Sequence, residues 1–273
     1  MALEDVSTRG LFLLGCGKMG SAMLAGWLAN GVAAKSVHVL DPYPSDWVKG
    51  LTDDGLNLNA GVPHAPAVAL LAVKPQMMGE ALPSVAALGG GETLILSVAA
   101  GTSISTFEAT FGPDTPIIRA MPNTPAAIGK GITAIIGNAA ATEAHLALAE
   151  ALLSAIGQVV RLDHEDQMDA VTGVSGSGPA YVFHMIEALA SAAEAEGLPP
   201  ELSMQLAIAT VAGAGALAEA ADETPSQLRV NVTSPAGTTE AGLRVLMNEG
   251  AGLPPLMRAT VKAAAARSRE LKG

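Results

Sequence analysis

Short apolar runs recur through the first half of the chain and predict buried β-strands. Each run is four to six residues long and is apolar on both faces, without regular alternation with polar residues. The runs cover residues 11–14, 37–40, 68–73, 93–98, 115–119, 131–136 and 158–161. A helical pattern at residues 19–29 follows the first run, and strands that alternate with helices are typical of a parallel sheet covered by helices.

The pattern becomes helical from about residue 164 onward. Helices are predicted at residues 179–196, 201–220, 238–248 and 254–271, and no strand pattern recurs there. The sequence therefore predicts a mostly parallel α/β domain over residues 1–163 and an all-α domain over residues 164–273. The stretch 202–218 carries no charge, but its polar residues and glycines favour a buried helix over a membrane span.

Composition and charge narrow the class of protein. Of 273 residues, 49% are hydrophobic and 3% aromatic, and the formal net charge is −11. This charge argues against nucleic-acid and anionic-membrane partners, so an anionic substrate requires a local pocket. The single Cys16 and the lack of a recognisable signal peptide indicate a cytoplasmic protein. The five histidines are scattered without ligand-like spacing, so no metal site is expected.

A glycine pattern between the first strand and the first long helix predicts a dinucleotide site. The segment reads Gly15-Cys16-Gly17-Lys18-Met19-Gly20. Gly15 permits the tight turn, Gly17 lets a phosphate approach the backbone, and Gly20 lets the helix pack on the strand. Such turns also occur without a ligand, but here a strand precedes the pattern and a helix follows it, as a dinucleotide site requires.

Asp41 ends the second strand, 21 residues after Gly20. A carboxylate there accepts a hydrogen bond from a ribose 2′-hydroxyl and repels a 2′-phosphate. No Arg follows it closely, and Lys49 is the nearest downstream cation. The cofactor is therefore expected to be NADH or NADPH, with NADH favoured. The alternative is a purely structural Asp that begins the turn before Pro42.

Three further loops follow predicted strands and are expected to meet the cofactor. Ligands of an open parallel sheet bind beyond the carboxyl ends of its strands. The residues at these positions are Ala72, Val73, Lys74, Pro75, Ala99, Gly101 and Asn123. Small residues at 99 and 101 leave room for the nicotinamide ribose, and Asn123 is a candidate to orient the nicotinamide.

Two loops in the helical half carry the remaining chemistry. Residues 172–181 form a Gly- and Ser-rich segment before a helix, with Ser177 or Gly178 as the expected cap. β-Hydroxyacid dehydrogenases have a catalytic Lys shortly after such a segment, and this chain has none between Gly178 and His184. Residues 232–243 place small hydroxyl residues, Pro and Gly at a helix start, where outward N–H groups suit a small carboxylate.

These motifs, in this order and over nearly the whole chain, resemble the pyrroline-5-carboxylate reductase family. The segments that carry the resemblance are residues 15–20, 72–75, 121–125, 175–181 and 233–239. The resemblance implies NAD(P)H-dependent reduction of 1-pyrroline-5-carboxylate to L-proline, the last step of proline biosynthesis. It also implies a Rossmann domain followed by a helical dimerisation domain, in a homodimer or a higher homo-oligomer.

The resemblance also assigns roles to residues of the loop at 233–239. Ser234 and the backbone N–H groups of Gly237 and Thr238 would hold the substrate carboxylate. Thr239, the candidate catalytic residue, would place its hydroxyl near the ring nitrogen. The chain departs from the family pattern at Ala236, where a second Gly is frequent. Asp41 is a second departure, because many NADPH-using members have a Ser- or Arg-containing stretch there.

Other functions remain open on the residues alone. A β-hydroxyacid dehydrogenase or another imine reductase would use the same fold. A non-catalytic nucleotide-sensing module would need only the glycine pattern and Asp41.

Overall fold

The computed structural model describes residues 4–271, which form two compact units. Among the described residues, the first unit consists of residues 4–176 together with 264–271, and the second of Ser177–Ala263. The predicted boundary at residues 163 and 164 marks where strands give way to helices. The compact units separate later in the chain, because the short helical turns after the last strand and the end of the last helix belong to the first unit.

The first unit is built on one eight-stranded sheet. Its strands are β1 Leu11–Leu14, β2 Val37–Leu40, β3 Asn57–Leu58, β4 Val68–Leu71, β5 Leu94–Ser97, β6 Ile117–Met121, β7 Gly131–Gly137 and β8 Gly157–Arg161. Their spatial order is β3-β2-β1-β4-β5-β6-β7-β8. The seven predicted strands are confirmed. The sequence missed β3, because a two-residue edge strand is too short for a hydrophobic pattern.

All strand pairs are parallel except β6 and β7, which run antiparallel with Arg119 opposite Ile136. The nine residues between β6 and β7 are too few for the crossover that a parallel pair needs, so they form a hairpin. The prediction of a mostly parallel sheet is therefore confirmed. The carboxyl ends of β1, β2, β4, β5 and β6 meet at one edge of the sheet, where a ligand site is expected.

Helices cover both faces of this sheet. They are α1 Glu4–Arg9, α2 Lys18–Ala29, α3 Asp46–Gly50, α4 Met78–Val85, α5 Ile104–Phe111, α6 Glu143–Leu153 and α7 Gln167–Val171. One core includes Leu11 and Leu13 with Trp27, and the other includes Phe12 with Phe107. Because successive strand residues point to opposite faces, the four apolar residues of β1 feed both cores.

The second unit contains helices without strands. They are α8 Gly178–Ala195, α9 Pro200–Ala220, α10 Pro225–Asn231, α11 Thr238–Leu246 and α12 Leu253–Glu270, the last of which ends in the first unit. The four predicted helices are confirmed, and α10 was not predicted. A π-helical turn, Thr172–Gly176, connects α7 to the start of α8. Ser177 is the N-cap residue of α8, one of the two expected positions, and its side chain makes no capping hydrogen bond.

The second unit has very little core of its own. Within residues 177–263 only Ala190, Ser203, Ala207 and Gly252 are buried. Helix α9 packs on α8, but only 11% of its most apolar 18-residue stretch is buried. The prediction of a buried helix is therefore wrong for the single chain. A single neighbouring helix cannot cover all the apolar faces of α9. Within the described residues, α9 is also the one helix whose length and hydropathy would allow a membrane span; one weakly apolar helix does not indicate a membrane protein.

The end of α12 is fastened to the first unit. Ala265 and Ser268 are buried, and the Ser268 hydroxyl donates a hydrogen bond of 2.8 Å to the Asp169 carboxylate on α7. Asp169 is itself buried, so the hydroxyl provides a partner for a carboxylate that is shielded from water.

Candidate active site

The glycine loop after β1 has the close packing that its three glycines allow. Gly15 has a φ of 86°, and its N–H donates to the carbonyl oxygen of Leu40 over 2.9 Å. A β-carbon at Gly20 would lie 2.4 Å from the carbonyl oxygen of Gly15. Any larger residue at position 20 would therefore push α2 away from the loop.

Gly17 has the opposite environment. It precedes α2, and a β-carbon added there would meet nothing within 4 Å. In the part of the chain that the structure describes, no group accepts the N–H of Lys18 or Met19 in the first turn of α2. Open space beside unclaimed amides at the start of a twelve-residue helix is suited to a pyrophosphate. The loop therefore fits a dinucleotide cofactor.

Asp41 is tied to the glycine loop through backbone amides. One carboxylate oxygen accepts the N–H of Cys16 over 2.6 Å, and the other accepts the N–H of Tyr43 over 2.7 Å. Asp41 is 9% exposed; its bond to Cys16 is buried and its bond to Tyr43 is partly buried. The carboxylate therefore fixes the loop and also leaves a negative charge at the end of β2, where an adenosine ribose is expected.

Asn59, which the sequence did not indicate as a site residue, supports Asp41. Its side-chain amide pairs with the backbone of Asp41, accepting its N–H and donating to its carbonyl oxygen, each over 2.9 Å. Asn59 adopts a φ of 52°, which Asn tolerates better than most residues. The sequence signal was an Asn just before Ala60-Gly61, a composition typical of a turn beside the second strand.

The Cys16 side chain is part of the packing. It is 4% exposed, and burial raises the pKa of the thiol. A buried and protonated thiol is a poor nucleophile. Ser21 further fastens the loop, because its hydroxyl donates to the carbonyl oxygen of Cys16 over 2.8 Å.

The loops after β4 and β5 lie at the same edge of the sheet as the glycine loop. Ala72 and Val73 follow β4, and Ala72 donates its N–H to Leu14 over 2.8 Å. Lys74 is exposed and precedes the short 3₁₀ turn Pro75–Met77. Ala99 is buried after β5, and Gly101 has a φ of 78°. The structure thus brings these predicted residues to one edge.

Asn123 has a structural bond that the sequence did not indicate. Its side-chain oxygen accepts the N–H of Ile132 over 3.0 Å across the β6–β7 connection. Its carbonyl oxygen accepts the N–H of Ala126 over 3.1 Å. One end of the side chain therefore holds the hairpin, and only the NH₂ group remains for a ligand.

The loop before α11, in the second unit, presents a second set of donors. Ser234, Thr238 and Thr239 are exposed, and within the described residues neither the Ser234 nor the Thr239 hydroxyl bonds another group of the chain. The N–H groups of Thr238 and Thr239 open the nine-residue helix without an internal acceptor. Four unclaimed donors therefore lie within six residues.

Gly237 differs from its expected role. Its N–H donates to the carbonyl oxygen of Ser234 over 3.0 Å, so it closes the turn inside the loop. A β-carbon at Gly237 would lie 3.0 Å from the same oxygen. Gly237 therefore permits the tight turn, and the N–H groups of Thr238 and Thr239, which have no acceptor among the described residues, are the ones left for a ligand.

Glu240, which the sequence also did not indicate as a site residue, contacts the loop before α11. Its carboxylate accepts the N–H of Ala236 over 2.5 Å and a hydrogen bond from Arg244 over 2.9 Å. Arg244, and then the Ala236 N–H, lower the pKa of Glu240. The signal in the sequence was an acid three residues after Gly237, a spacing typical of helix starts. Beside it lies a hollow of about 490 Å³ between α10 and α11.

The charged residues of the chain form no metal centre in the part that the structure describes. No group of three or more His, Cys, Asp or Glu residues there is arranged to hold an ion. His184 pairs with Glu187 on the exposed surface of α8 at 3.2 Å. His145 caps α6 through Thr142, which is a structural role.

Comparison with known proteins identifies the family. Residues 165–271 match the sequence model of the pyrroline-5-carboxylate reductase dimerisation family, and residues 11–101 match an NADP oxidoreductase family described as coenzyme F420-dependent. A pyrroline-5-carboxylate reductase from Synechocystis sp. is 42% identical over 96% of this chain and 97% of its own length. One from Pseudomonas aeruginosa is 37% identical over 97% of this chain and 98% of its own.

Solved structures agree. A pyrroline-5-carboxylate reductase from Coxiella burnetii superposes with a TM-score of 0.89 at 32% identity, covering 97% of this chain and 99% of that one. The Plasmodium falciparum pyrroline carboxylate reductase, solved with NADP bound, has a TM-score of 0.81 at 27% identity and covers 98% of this chain and 99% of its own. With matched motifs in both units and full-length relatives above 35% identity, the chain belongs to the pyrroline-5-carboxylate reductase family.

Proposed function

We propose that the chain reduces 1-pyrroline-5-carboxylate to L-proline, as the last step of proline biosynthesis. The proposal rests mainly on the hydrogen-bond donors before and at the start of α11 that have no acceptor among the described residues, in a chain of this family. Two amides and two hydroxyls suit a small cyclic imine that bears one carboxylate. Such a substrate needs to be held and oriented more than it needs an acid–base pair.

The dinucleotide is held by the glycine loop and the strand-end loops of the first unit. The amides of Lys18 and Met19 bind the pyrophosphate beside Gly17. Small residues at 99 and 101 admit the nicotinamide ribose, and the Lys74 and Asn123 side chains supply polar contacts. This assignment is supported by the open space at Gly17 and by the absence of acceptors for these amides in the described residues.

NADH is the preferred cofactor in this proposal. The buried Asp41 carboxylate places a negative charge at the end of β2, which repels a 2′-phosphate. Each oxygen already accepts one amide, and each retains a further lone pair for a ribose hydroxyl. The ratio of dissociation constants for NADH and NADPH tests the preference, and tighter binding of NADPH would contradict it.

The substrate carboxylate is held by Ser234 and by the amides of Thr238 and Thr239. Gly237 contributes the turn that aims these amides outward. The Thr239 hydroxyl hydrogen-bonds the ring nitrogen and orients it. When bound, the reduced nicotinamide supplies the hydride that the imine carbon accepts. A protonated C=N becomes a C–H and a secondary amine, so no nucleophilic side chain is required.

The working form is a homodimer or a larger homo-oligomer. Large apolar side chains remain exposed on α8 and α9 in the single chain, among them Phe183, Leu206 and Ile208. Exposed apolar surface of this extent is typical of protein interfaces. A second copy of the chain is the partner that the dimerisation family match supports. Sedimentation equilibrium tests the oligomeric state. As for location, we propose that the protein is cytoplasmic.

One assay separates the candidate activities. The purified protein is mixed with pyrroline-5-carboxylate and NADH, and the loss of nicotinamide absorbance is followed. Turnover with formation of proline supports the proposal. Binding of NADH without turnover of any substrate would favour a nucleotide sensor. Turnover of a β-hydroxyacid alone would favour the dehydrogenase, although the lack of a Lys between Gly178 and His184 argues against it.

A further inference from the structure

The loop before α11 contains a backbone conformation that its residue does not favour. Ala236 adopts a φ of 58°, in the left-handed region where glycine is the usual residue. It is one of three non-glycine residues with positive φ in the described part of the chain, and the one that lies beside the proposed substrate donors. Some contact must therefore hold Ala236 in this conformation.

Glu240 provides that contact. Its Oε2 atom accepts the N–H of Ala236 over 2.5 Å, from the first turn of α11 back to the loop. Its Oε1 atom accepts a hydrogen bond from Arg244 one turn further along, over 2.9 Å. The carboxylate is thus fixed from both sides. Arg244 also offsets the negative charge that Glu240 brings close to an anion site.

We propose that Glu240 is a positioning residue for substrate binding. By holding Ala236 left-handed, it keeps the Ser234–Gly237 turn closed and leaves the amides of Thr238 and Thr239 aimed outward. The inference rests on the proposed role of those amides. Glu240 does not touch the substrate, and it acts through the loop.

A simpler role for Glu240 would be to stabilise α11 as an acid near its positive end. The two roles differ in what repairs their loss. Glycine adopts a positive φ without strain, so Ala236→Gly should make the loop independent of Glu240. It would not repair a lost helix–dipole interaction.

The experiment is a double-mutant cycle of Glu240→Ala and Ala236→Gly. Glu240→Ala is expected to raise KM for pyrroline-5-carboxylate roughly tenfold with little change in kcat, because substrate must then order the loop. In the Ala236→Gly background the same change should alter KM by less than about twofold. Glu249→Ala, which removes an exposed charge just after α11, is the control and should behave as wild type.

Amide hydrogen exchange gives a readout that does not need turnover. Exchange at Ala236 should be slow in the wild type and faster in Glu240→Ala. Glu240→Gln keeps a carbonyl oxygen for Ala236 and should retain most of the protection. If Glu240→Ala fails to fold, Glu240→Gln and Arg244→Ala are compared with the wild type instead. Arg244→Ala is expected to lose part of the protection of the Ala236 amide and to show a smaller rise in KM.

An equal KM penalty in both backgrounds, or unchanged exchange at Ala236, would overturn the inference. If the wild type does not reduce pyrroline-5-carboxylate, the proposed function fails, and the exchange data still decide whether Glu240 holds the loop.

Discussion

The backbone N–H of Cys16 donates to the carboxylate of Asp41 across 2.6 Å, which ties the glycine loop to the end of β2. The same carboxylate accepts the N–H of Tyr43. The acid that the sequence predicted to select the cofactor therefore also shapes the loop that we propose to bind the cofactor phosphates.

Replacing Asp41 with Asn should weaken both functions. The Asn NH₂ group cannot accept an amide hydrogen, so one buried N–H loses its partner at a cost of about 1–3 kcal/mol in the free energy of unfolding. Affinity for both cofactors should fall, and the ratio should shift toward NADPH because the negative charge is gone. Urea unfolding and cofactor titrations measure these effects. Asp46→Asn removes an equal charge from a fully exposed side chain and serves as the control; equal effects of the two variants would contradict the role of Asp41.

The two glycines of the loop should respond differently to Ala. Gly17→Ala adds a methyl group to open space, so stability should change by about 1 kcal/mol or less while affinity for NADH falls. Gly20→Ala forces a β-carbon toward the Gly15 carbonyl oxygen and should destabilise the protein by about 1–3 kcal/mol. Thermal unfolding and NADH fluorescence titration separate the effects. Undiminished NADH affinity in Gly17→Ala would rule out pyrophosphate binding at this position.

Thr239 should matter through its hydroxyl, and Thr238 through its amide. Thr239→Val removes the proposed bond to the ring nitrogen, at about 1–3 kcal/mol, or roughly 5- to 150-fold in kcat/KM. Thr238→Val retains the backbone N–H and should stay within about threefold of wild type. Steady-state kinetics with saturating cofactor makes the comparison. Full activity of Thr239→Val would remove Thr239 from the mechanism.

The ion pair of Arg119 and Glu165 should contribute to stability. The Arg119 side chain is 2% exposed and donates to Glu165 over 2.7 Å, and Glu165 also accepts the N–H of Ile104 at the start of α5. Glu165→Ala leaves a buried guanidinium unpaired and should cost about 3 kcal/mol, the lower end of the usual range because Glu165 is partly exposed.

The control for that prediction is Glu143→Ala. Glu143 pairs with Arg161 on the surface, with side chains 74% and 38% exposed. Exposed pairs of this kind contribute little to stability, because solvent screens the two charges. Urea unfolding measures the loss of stability in both variants. A comparable loss would mean that the Arg119–Glu165 pair contributes no more to the free energy of unfolding than an exposed pair does.

His145 should make stability depend on pH. Its Nδ1 atom accepts the N–H of Thr142 over 3.1 Å at the start of α6, which requires a neutral ring. Burial lowers the pKa of His145 from 6.5, so the unfolded chain takes up the proton first as the pH falls. This contribution to stability is complete above pH 6.5 and is lost as the pH drops from 6.5 through the folded-state pKa.

The test for His145 compares urea unfolding of the wild type and His145→Gln at several pH values. Gln keeps an acceptor for the Thr142 N–H but does not titrate, so the variant should lose less stability at low pH. Burial also lowers the pKa of His38, and the comparison between the two proteins cancels that contribution. Parallel pH profiles would show that the cap does not titrate.

The sequence predicted those parts of the fold that have a clear hydrophobic pattern. The strands follow short apolar runs and the four predicted helices after residue 164 follow a helical apolar pattern, and hydrophobic burial determines both. The two-residue β3 and the seven-residue α10 escaped because they are held by neighbouring elements more than by their own pattern. The exposure of α9 could not be read either, because an apolar helix looks the same whether its own chain or another chain covers it.

For the candidate site, the sequence indicated loops but not individual hydrogen bonds. It pointed to residues 15–20 and 233–239 because Gly, Pro and small hydroxyl residues mark special backbone geometry. The partners of Asp41, the inward N–H of Gly237 and the reach of Glu240 to Ala236 depend on three-dimensional side-chain directions. Sequence spacing alone does not fix those directions.

The hydrogen bond between Ser268 and Asp169 affects when the first unit can be completed during synthesis of the chain. The nucleotide-binding unit contains the end of the last helix, so a ribosome must synthesise all of residues 177–263 before that unit is complete. Until then the Asp169 carboxylate lacks this buried partner. In a nascent chain that ends before residue 264, the nucleotide-binding unit therefore lacks the last turns of α12 and their hydrogen bond to Asp169. That unit is complete only when these turns have been synthesised.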